Sequence, residues 1–478
     1  MSSAMDSGYE PDMGLDVGSD TRSNSDVASI TSSVEWINQE PFETFRNRVL
    51  DLALHKIWPD AAEDEIHIER MIGGGYNRII GISRITPRQP GISTQYILRT
   101  PRNDDVPVES QVRTLQFLRK HYNFPTPNVI SFDPTDNNEL GVRYMIQDRI
   151  HGTPLLSLYP SLTHEEKCRV ARELGHIYYK MIATQSATST IIVPPEKETI
   201  ADPPVLLDIH SMLLDVLHDW KAAEIARCKD GIMATLIDNF CNIVQELETD
   251  GYFVDCHISL AHLDMHPRNI MLNPTSDTEQ PIVSGILDWD SAVFAPQFMC
   301  CAPPLWLWAW NDDDDEDERT ADELPPTPEG RQLKQLFEDA AGLDYARFAY
   351  LPAYRLARQL VRFAADGTNH NESFQDAQAI VKEWKEYHHD PIHDSYRESA
   401  TNITPETGID SIPGSDPDRD DSASTSISTA GTSDNDESES DKHASGKEPK
   451  DPHTSIETAT SLYTDLWRHG LPPPMGIS

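Results

Sequence analysis

At 478 residues the chain is long enough for two lobes plus terminal extensions, and its formal net charge of −40 argues against nucleic acid or an anionic membrane as a partner, since phosphate binding needs clustered Lys and Arg. No apolar run approaches the roughly twenty residues that span a bilayer, and the N-terminus has neither an apolar signal region nor an Arg-rich transit character. Six cysteines with neither zinc-type spacing nor a secreted disulfide framework predict reduced thiols, so the expectation is a cytoplasmic protein without a membrane span.

In chain order, residues 1–38 are rich in Ser, Asp and Glu and poor in bulky apolar side chains, which predicts disorder because little burial is available to offset the entropy of ordering. Phe42, Phe45, Val49, Leu52, Ala53 and Ile57 then follow helical spacing, and Trp58-Pro59 ends that helix. Ile66 to Ile72, Arg78 to Ile82 and Gln95 to Arg99 read as three strands. The loop joining the first two is Gly73-Gly74-Gly75-Tyr76-Asn77. Consecutive glycines permit positive φ and close backbone approach, so exposed amides there suit phosphate oxygens, although a plain hairpin turn uses glycine too.

Arg99 ends the third strand behind apolar Ile97 and Leu98. Glu109 opens the following helix, with Val112, Leu115 and Leu118 at helical spacing, and is the natural ion-pair partner for Arg99; its bland role is a first-turn charge complementing the helix dipole. Strands at 128–132 and 143–147 complete a five-stranded antiparallel sheet, and Ile150-His151-Gly152-Thr153-Pro154 makes a Gly/Pro connection out of it.

From Thr163 the pattern turns helical, with Cys168, Ala171, Leu174, Ile177, Tyr178 and Met181 on one face and further helices over about 205–227 and 231–249. Then comes His262-Leu263-Asp264-Met265-His266-Pro267-Arg268-Asn269, in which Pro267 prevents a regular helix. Ile270 to Leu272 and Ile282 to Leu287 read as a hairpin that returns Asp288-Trp289-Asp290 to the side of Asn269. The Trp306, Trp308 and Trp310 cluster reads as core packing, the run Asp312 to Glu318 as a solvated acidic loop. Helices are expected at 328–340, 345–365 and 372–388, before a second disordered tail, acidic and Ser/Thr-rich, over 391–478.

These polar residues stand in the order that phosphoryl transfer requires. An Asp on a catalytic loop accepts the proton of the attacking hydroxyl, an Asn a few residues on binds metal, and an Asp beyond a strand binds metal bridging the phosphates. Asp264, Asn269 and Asp288 fill those places, and their oxygens are the hard ligands that Mg²⁺ prefers. His262 reads as a structural residue that hydrogen-bonds the loop, since Asp264 already sits where the base belongs.

With glycine loop, strand cation, helix Glu, hinge, His-x-Asp loop and Asp-Trp-Asp in that order, residues 40–390 resemble the aminoglycoside phosphotransferase and choline kinase-like family, of kinase-like fold, particularly its fungal members. The resemblance implies an α+β bilobed fold with a mainly helical C-terminal lobe. It implies Asp264 as catalytic base, Asn269 and Asp288 as Mg²⁺ ligands, Arg99 as the phosphate-facing cation with Glu109 its partner, and Gly73, Gly74, Gly75, Tyr76 and Asn77 as the nucleotide loop. Arg99 stands where Lys is usual, an exchange that is not conservative, and Arg268 stands where Gly is frequent.

The expected organisation is a disordered tail over 1–38, a nucleotide-binding lobe over 39–150, a helical catalytic and substrate lobe over 151–390, and the tail over 391–478. The expected activity is transfer of the γ-phosphoryl group of ATP, with GTP as the other donor, to a hydroxyl of a small molecule, an amino sugar or amino alcohol being favoured by the acidic surroundings. The alternative is a non-catalytic nucleotide-binding scaffold whose acidic tails bind protein partners. A protein kinase fits less well, because Asp288-Trp289-Asp290 lacks the Asp-Phe-Gly sequence and no Ala-Pro-Glu segment follows.

Overall fold

The computed structural model describes residues 40–71, 77–85, 93–102, 108–186, 208–227, 231–275, 277, 279–310, 317–366 and 371–388. Gly73, Gly74, Gly75 and Tyr76, both tails and most of the acidic run lie outside the described residues. Helix α1, Phe42–Leu52, buries Phe45, Val49 and Leu52 and runs on as a wider π turn over Ala53–Ile57, until Trp58 before Pro59 ends it and stacks on Tyr96 at 5.3 Å.

Strands β1 Ile66–Arg70, β2 Asn77–Ile85, β3 Ser93–Pro101, β4 Val129–Asp133 and β5 Tyr144–Asp148 form one antiparallel sheet in the order β1-β2-β3-β5-β4. Alternation sends Ile66, Ile68, Ile80, Ile82, Leu98 and Ile146 to one face, where they pack with the buried stripe of α1. Helix α2, Val108–Tyr122, lies between β3 and β4 in sequence and buries Val108, Val112, Leu115 and Leu118.

The chain leaves the sheet through Gly152, whose φ of +124° and a would-be Cβ 2.1 Å from the Leu272 carbonyl oxygen exclude any side chain. Strand β6, Thr153–Pro154, follows, and helix α3, His164–Ala183, starts in a capping box in which Thr163 and Glu166 satisfy each other's backbone amides. Beyond α3 lie β7 Gln185–Ser186, helices α4 Ile209–Arg227 and α5 Ile232–Thr249, and strands β8 Ile258–Ala261, β9 Ile270–Leu272, β10 Val283–Ile286 and β11 Val293–Pro296. They form two small antiparallel sheets, β10-β9-β6 and β11-β8-β7.

Glu173 on α3 accepts the backbone amides of Ile282 and Val283 at 3.0 and 2.9 Å, fixing the entry to β10 from the helix side. Glu173→Ala leaves both donors without their carboxylate, an expected loss of about 2–3 kcal/mol, to be read as the shift in urea midpoint at constant slope. An unchanged midpoint would show that water replaces the carboxylate at no cost.

Helices α6 Pro328–Ala341, α7 Leu343–Tyr350, α8 Pro352–Asp366 and α9 Asn371–His388 complete the described chain. A single helix over 345–365 is corrected here to two, because Pro352 lacks the amide that would continue α7 and disfavours helical φ and ψ at Leu351. The same point divides two compact units: among the described residues, one holds those up to 186 with 257–350, the other 208–256 with 351–388.

In the second unit α4, α5, α8 and α9 bury Trp220, Phe240, Leu356 and Trp384, and Tyr354 donates its hydroxyl to the Tyr252 carbonyl at 2.8 Å. An open groove of about 610 Å³ runs between α5 and α9, lined by Ile232, Leu236, Phe374 and Val381 among others. In the first unit Trp306 and Trp308 are buried and Trp310 stacks on Tyr159 at 4.5 Å, the packing role expected of that cluster. The five cysteines among the described residues are free thiols, and no described helix is long and apolar enough to cross a membrane.

Candidate active site

Two strand pairs bracket the two loops that carry the polar residues. Strand β8 pairs with β11, Ala261 opposite Val293, and β9 pairs with β10, Ile270 opposite Ile286. The segment 262–269 and the segment 287–292 are therefore each held at both ends by the same two ladders. The Leu287 amide closes them by donating to the Asn269 carbonyl at 2.7 Å.

His262 is buried and fixed on both ring nitrogens. The Asp264 amide donates to its Nδ1 at 3.3 Å, so its Nε2 carries the proton and donates to the Leu287 carbonyl at 2.9 Å, while its ring meets Trp289 edge-on at 4.6 Å. Burial holds its pKa below the ordinary value, so it stays neutral and ties the two loops together. The unfolded chain then takes up a proton below about 6.5 that the folded chain refuses, so stability is lost as pH falls from there toward the depressed value. His262→Gln is expected to shrink the drop in thermal midpoint between pH 7.5 and 5.5; an undiminished drop would place its source elsewhere.

Leu263 has φ +62°, a left-handed conformation uncommon outside glycine, and this bend presents Asp264. The Asp264 carboxylate accepts from Asn269 Nδ2 at 2.8 Å and from one Arg268 nitrogen at 2.9 and 3.2 Å. Asn269 also donates to the Asp264 carbonyl at 3.0 Å. Pro267 opens a single 3₁₀ turn over Pro267–Asn269, which sets that amide beside the carboxylate.

Asp288 is likewise left-handed, φ 60° and ψ 48°, and its side chain is half exposed. Arg99 on β3, buried, donates from Nη2 to Asp288 Oδ1 at 3.3 Å and more closely to Asp290 Oδ2, which also receives Asn77 Nδ2 at 3.4 Å. Burial works against the Arg99 charge, yet Asp290 and Asp288 hold its pKa above the ordinary value. Burial pushes the Asp290 carboxyl up to about 6 although Arg99 pulls it down, and neighbouring Asp288 adds to the rise. Asp264, Asn269, Asp288, Arg99 and Asn77 are thus brought together within one unit, while Gly73 to Tyr76 lie outside the described residues.

Glu109 is not part of this assembly and the expected pairing is corrected. It is exposed on the first turn of α2, and the carboxylates on Arg99 are those of Asp288 and Asp290. The covered face of α2 carries polar Gln111 and Thr114, and Gln111 is buried with no hydrogen-bond partner on Nε2. At the hinge the amides of Asp148 and Arg149 donate to the Asn128 and Gln95 carbonyls, so these two donors are engaged within the lobe itself. Asp290 and the Arg268 clamp on Asp264 were not anticipated; the spacing Asp-Trp-Asp around a buried Trp289 was the available signal for the first.

A described set of three or more His, Cys, Asp or Glu poised for a metal ion is absent. A model of the phosphotransferase enzyme family, APH, matches residues 84–299, a segment that holds Arg99 and both loops. It is 29% identical over 103 residues to subtelomeric hrmA-associated cluster proteins of two Aspergillus fumigatus strains, a match taking in 21% of this chain and 19% of theirs. The chain thus spans about a fifth of the length of these relatives.

Among solved structures the chain is similar to the GDP complex of wild-type aminoglycoside 2'-phosphotransferase-IIIa, at 15% identity, TM-score 0.42, covering 70% of this chain and 97% of that one. It is also similar to choline kinase from Cryptosporidium parvum, at 13% identity, TM-score 0.40, covering 74% and 97%.

Proposed function

We propose that the protein transfers the γ-phosphoryl group of ATP, or of GTP, to a hydroxyl of a small molecule. The observation that supports this best is the joint hold of Arg268 and Asn269 on Asp264, which fixes one carboxylate on the loop that also carries Asn269. In the reaction the acceptor oxygen bonds to the γ-phosphorus, the bridging bond to the β-phosphate breaks, the nucleoside diphosphate leaves, and the acceptor proton passes to Asp264.

Asn269 and Asp288 would hold Mg²⁺. The donor set fits that ion, which takes hard oxygen ligands and usually only one or two protein carboxylates beside substrate phosphates, and Asn269 spends its amino group on Asp264 while its acceptor oxygen has no such duty. When bound, Mg²⁺ supplies charge neutralisation on the nucleotide phosphates. Arg99 carries positive charge to the same loop, and Asn77 with the preceding glycines serves the nucleotide. The acidic tails are proposed as protein-binding segments, the lobe borders at 150 and 390 and a cytoplasmic setting complete the reading, and an amino sugar or amino alcohol is the first acceptor class to try.

The test is phosphoryl transfer from γ-labelled ATP and GTP by the full chain to a panel of small hydroxylated compounds, with and without Mg²⁺. Turnover that needs both Mg²⁺ and Asp264 supports the assignment. Nucleotide binding with no transfer to any acceptor favours the scaffold reading, and loss of both removes the site.

A further inference from the structure

Arg99 reaches the metal loop from β3, and its two partners there are unequal. Asp290 is the closer and less exposed carboxylate, 22% against 48% for Asp288, and is also held by Asn77 at 3.4 Å. The contact with Asp288 is longer, 3.3 Å, and opens to solvent. Nε of Arg99 is buried and has no hydrogen-bond partner, so the guanidinium keeps an unspent donor. No carboxylate of α2 competes for it, since Glu109 is exposed.

We propose that Asp290 is a positioning residue that anchors Arg99, and that Arg99 and a divalent cation occupy Asp288 by turns, so that the cation enters readily only with a nucleotide whose phosphates draw the guanidinium away. This rests on Asp288 as a metal ligand. One carboxylate cannot serve a guanidinium and a dication at full strength, because the two positive charges repel at contact distance. The anchor at Asp290 keeps Arg99 within reach after it releases Asp288, and its planar fork is suited to the phosphate that displaces it.

Binding of Mn²⁺, standing in for Mg²⁺, to the full chain can be followed by electron paramagnetic resonance with and without ADP. Arg99→Met is expected to bind Mn²⁺ alone roughly tenfold more tightly than the unaltered chain while binding ADP more weakly. Asp290→Asn, which leaves Arg99 to Asp288 alone, is expected to move Mn²⁺ affinity the other way, roughly threefold weaker without ADP. Opposite shifts from two neighbouring substitutions are not produced by general loosening, and circular dichroism confirms that each variant is folded.

Asp288→Asn separates this inference from the functional reading beneath it. If Asp288→Asn abolishes Mn²⁺ binding but Arg99→Met leaves it unchanged or weaker, alternation at Asp288 is overturned and the metal site stands. If Mn²⁺ binds no better with ADP and Asp288→Asn changes nothing, both are overturned.

Discussion

Asp264→Asn is expected to lower kcat by about 10²–10⁴-fold, the usual contribution of a positioned general base, while the KM for nucleotide stays within about twofold. The carboxylate now receives three donor contacts, two from Arg268 and one from Asn269. An amide at 264 has one acceptor oxygen and turns an amino group toward donors that cannot accept from it. The proton of the acceptor hydroxyl then has no carboxylate to receive it. Steady-state kinetics beside calorimetric nucleotide binding separates the two effects, and a variant retaining more than a tenth of the rate would remove Asp264 from the chemistry.

Asp288→Asn is expected to abolish Mg²⁺-dependent nucleotide binding and to reduce kcat/KM for nucleotide by about 10³-fold or more, since charge neutralisation at the phosphates is most of what such a site supplies. Asparagine is the informative replacement because it tolerates the left-handed backbone that Asp288 adopts, whereas alanine there adds strain to the lost charge. Arg99 keeps its partner at Asp290, so the fold should survive. Nucleotide titrations at several Mg²⁺ concentrations check this, and unaltered Mg²⁺ dependence would move the metal elsewhere.

The sheet was legible because short Ile-rich runs stand between turn residues, and on β1 Ile66 and Ile68 alternate with His67 and Glu69 as a one-sided core requires. The two loops were legible because a hairpin joins them within a short stretch of chain, so spacing alone brings Asp288 to Asn269. Glu109 misled because it lies at a helix start near Arg99 in sequence, yet residues four and seven before Leu115 and Leu118 share their face, and that position is Gln111. Arg99 could not be placed from sequence beyond its strand, since its partners lie 189 and 191 residues away.

That separation has a kinetic side. The loops at 262–269 and 287–292 close on each other through β9 and β10, a local pairing with a small loop-closure cost, so this segment can acquire its native order early. The Arg99 contact closes a separation of 189 residues, an entropic cost that the local pairing does not carry. A partly folded chain would carry residues 287–292 without the strand cation, so docking of β3 is what brings positive charge to Asp288 and Asp290.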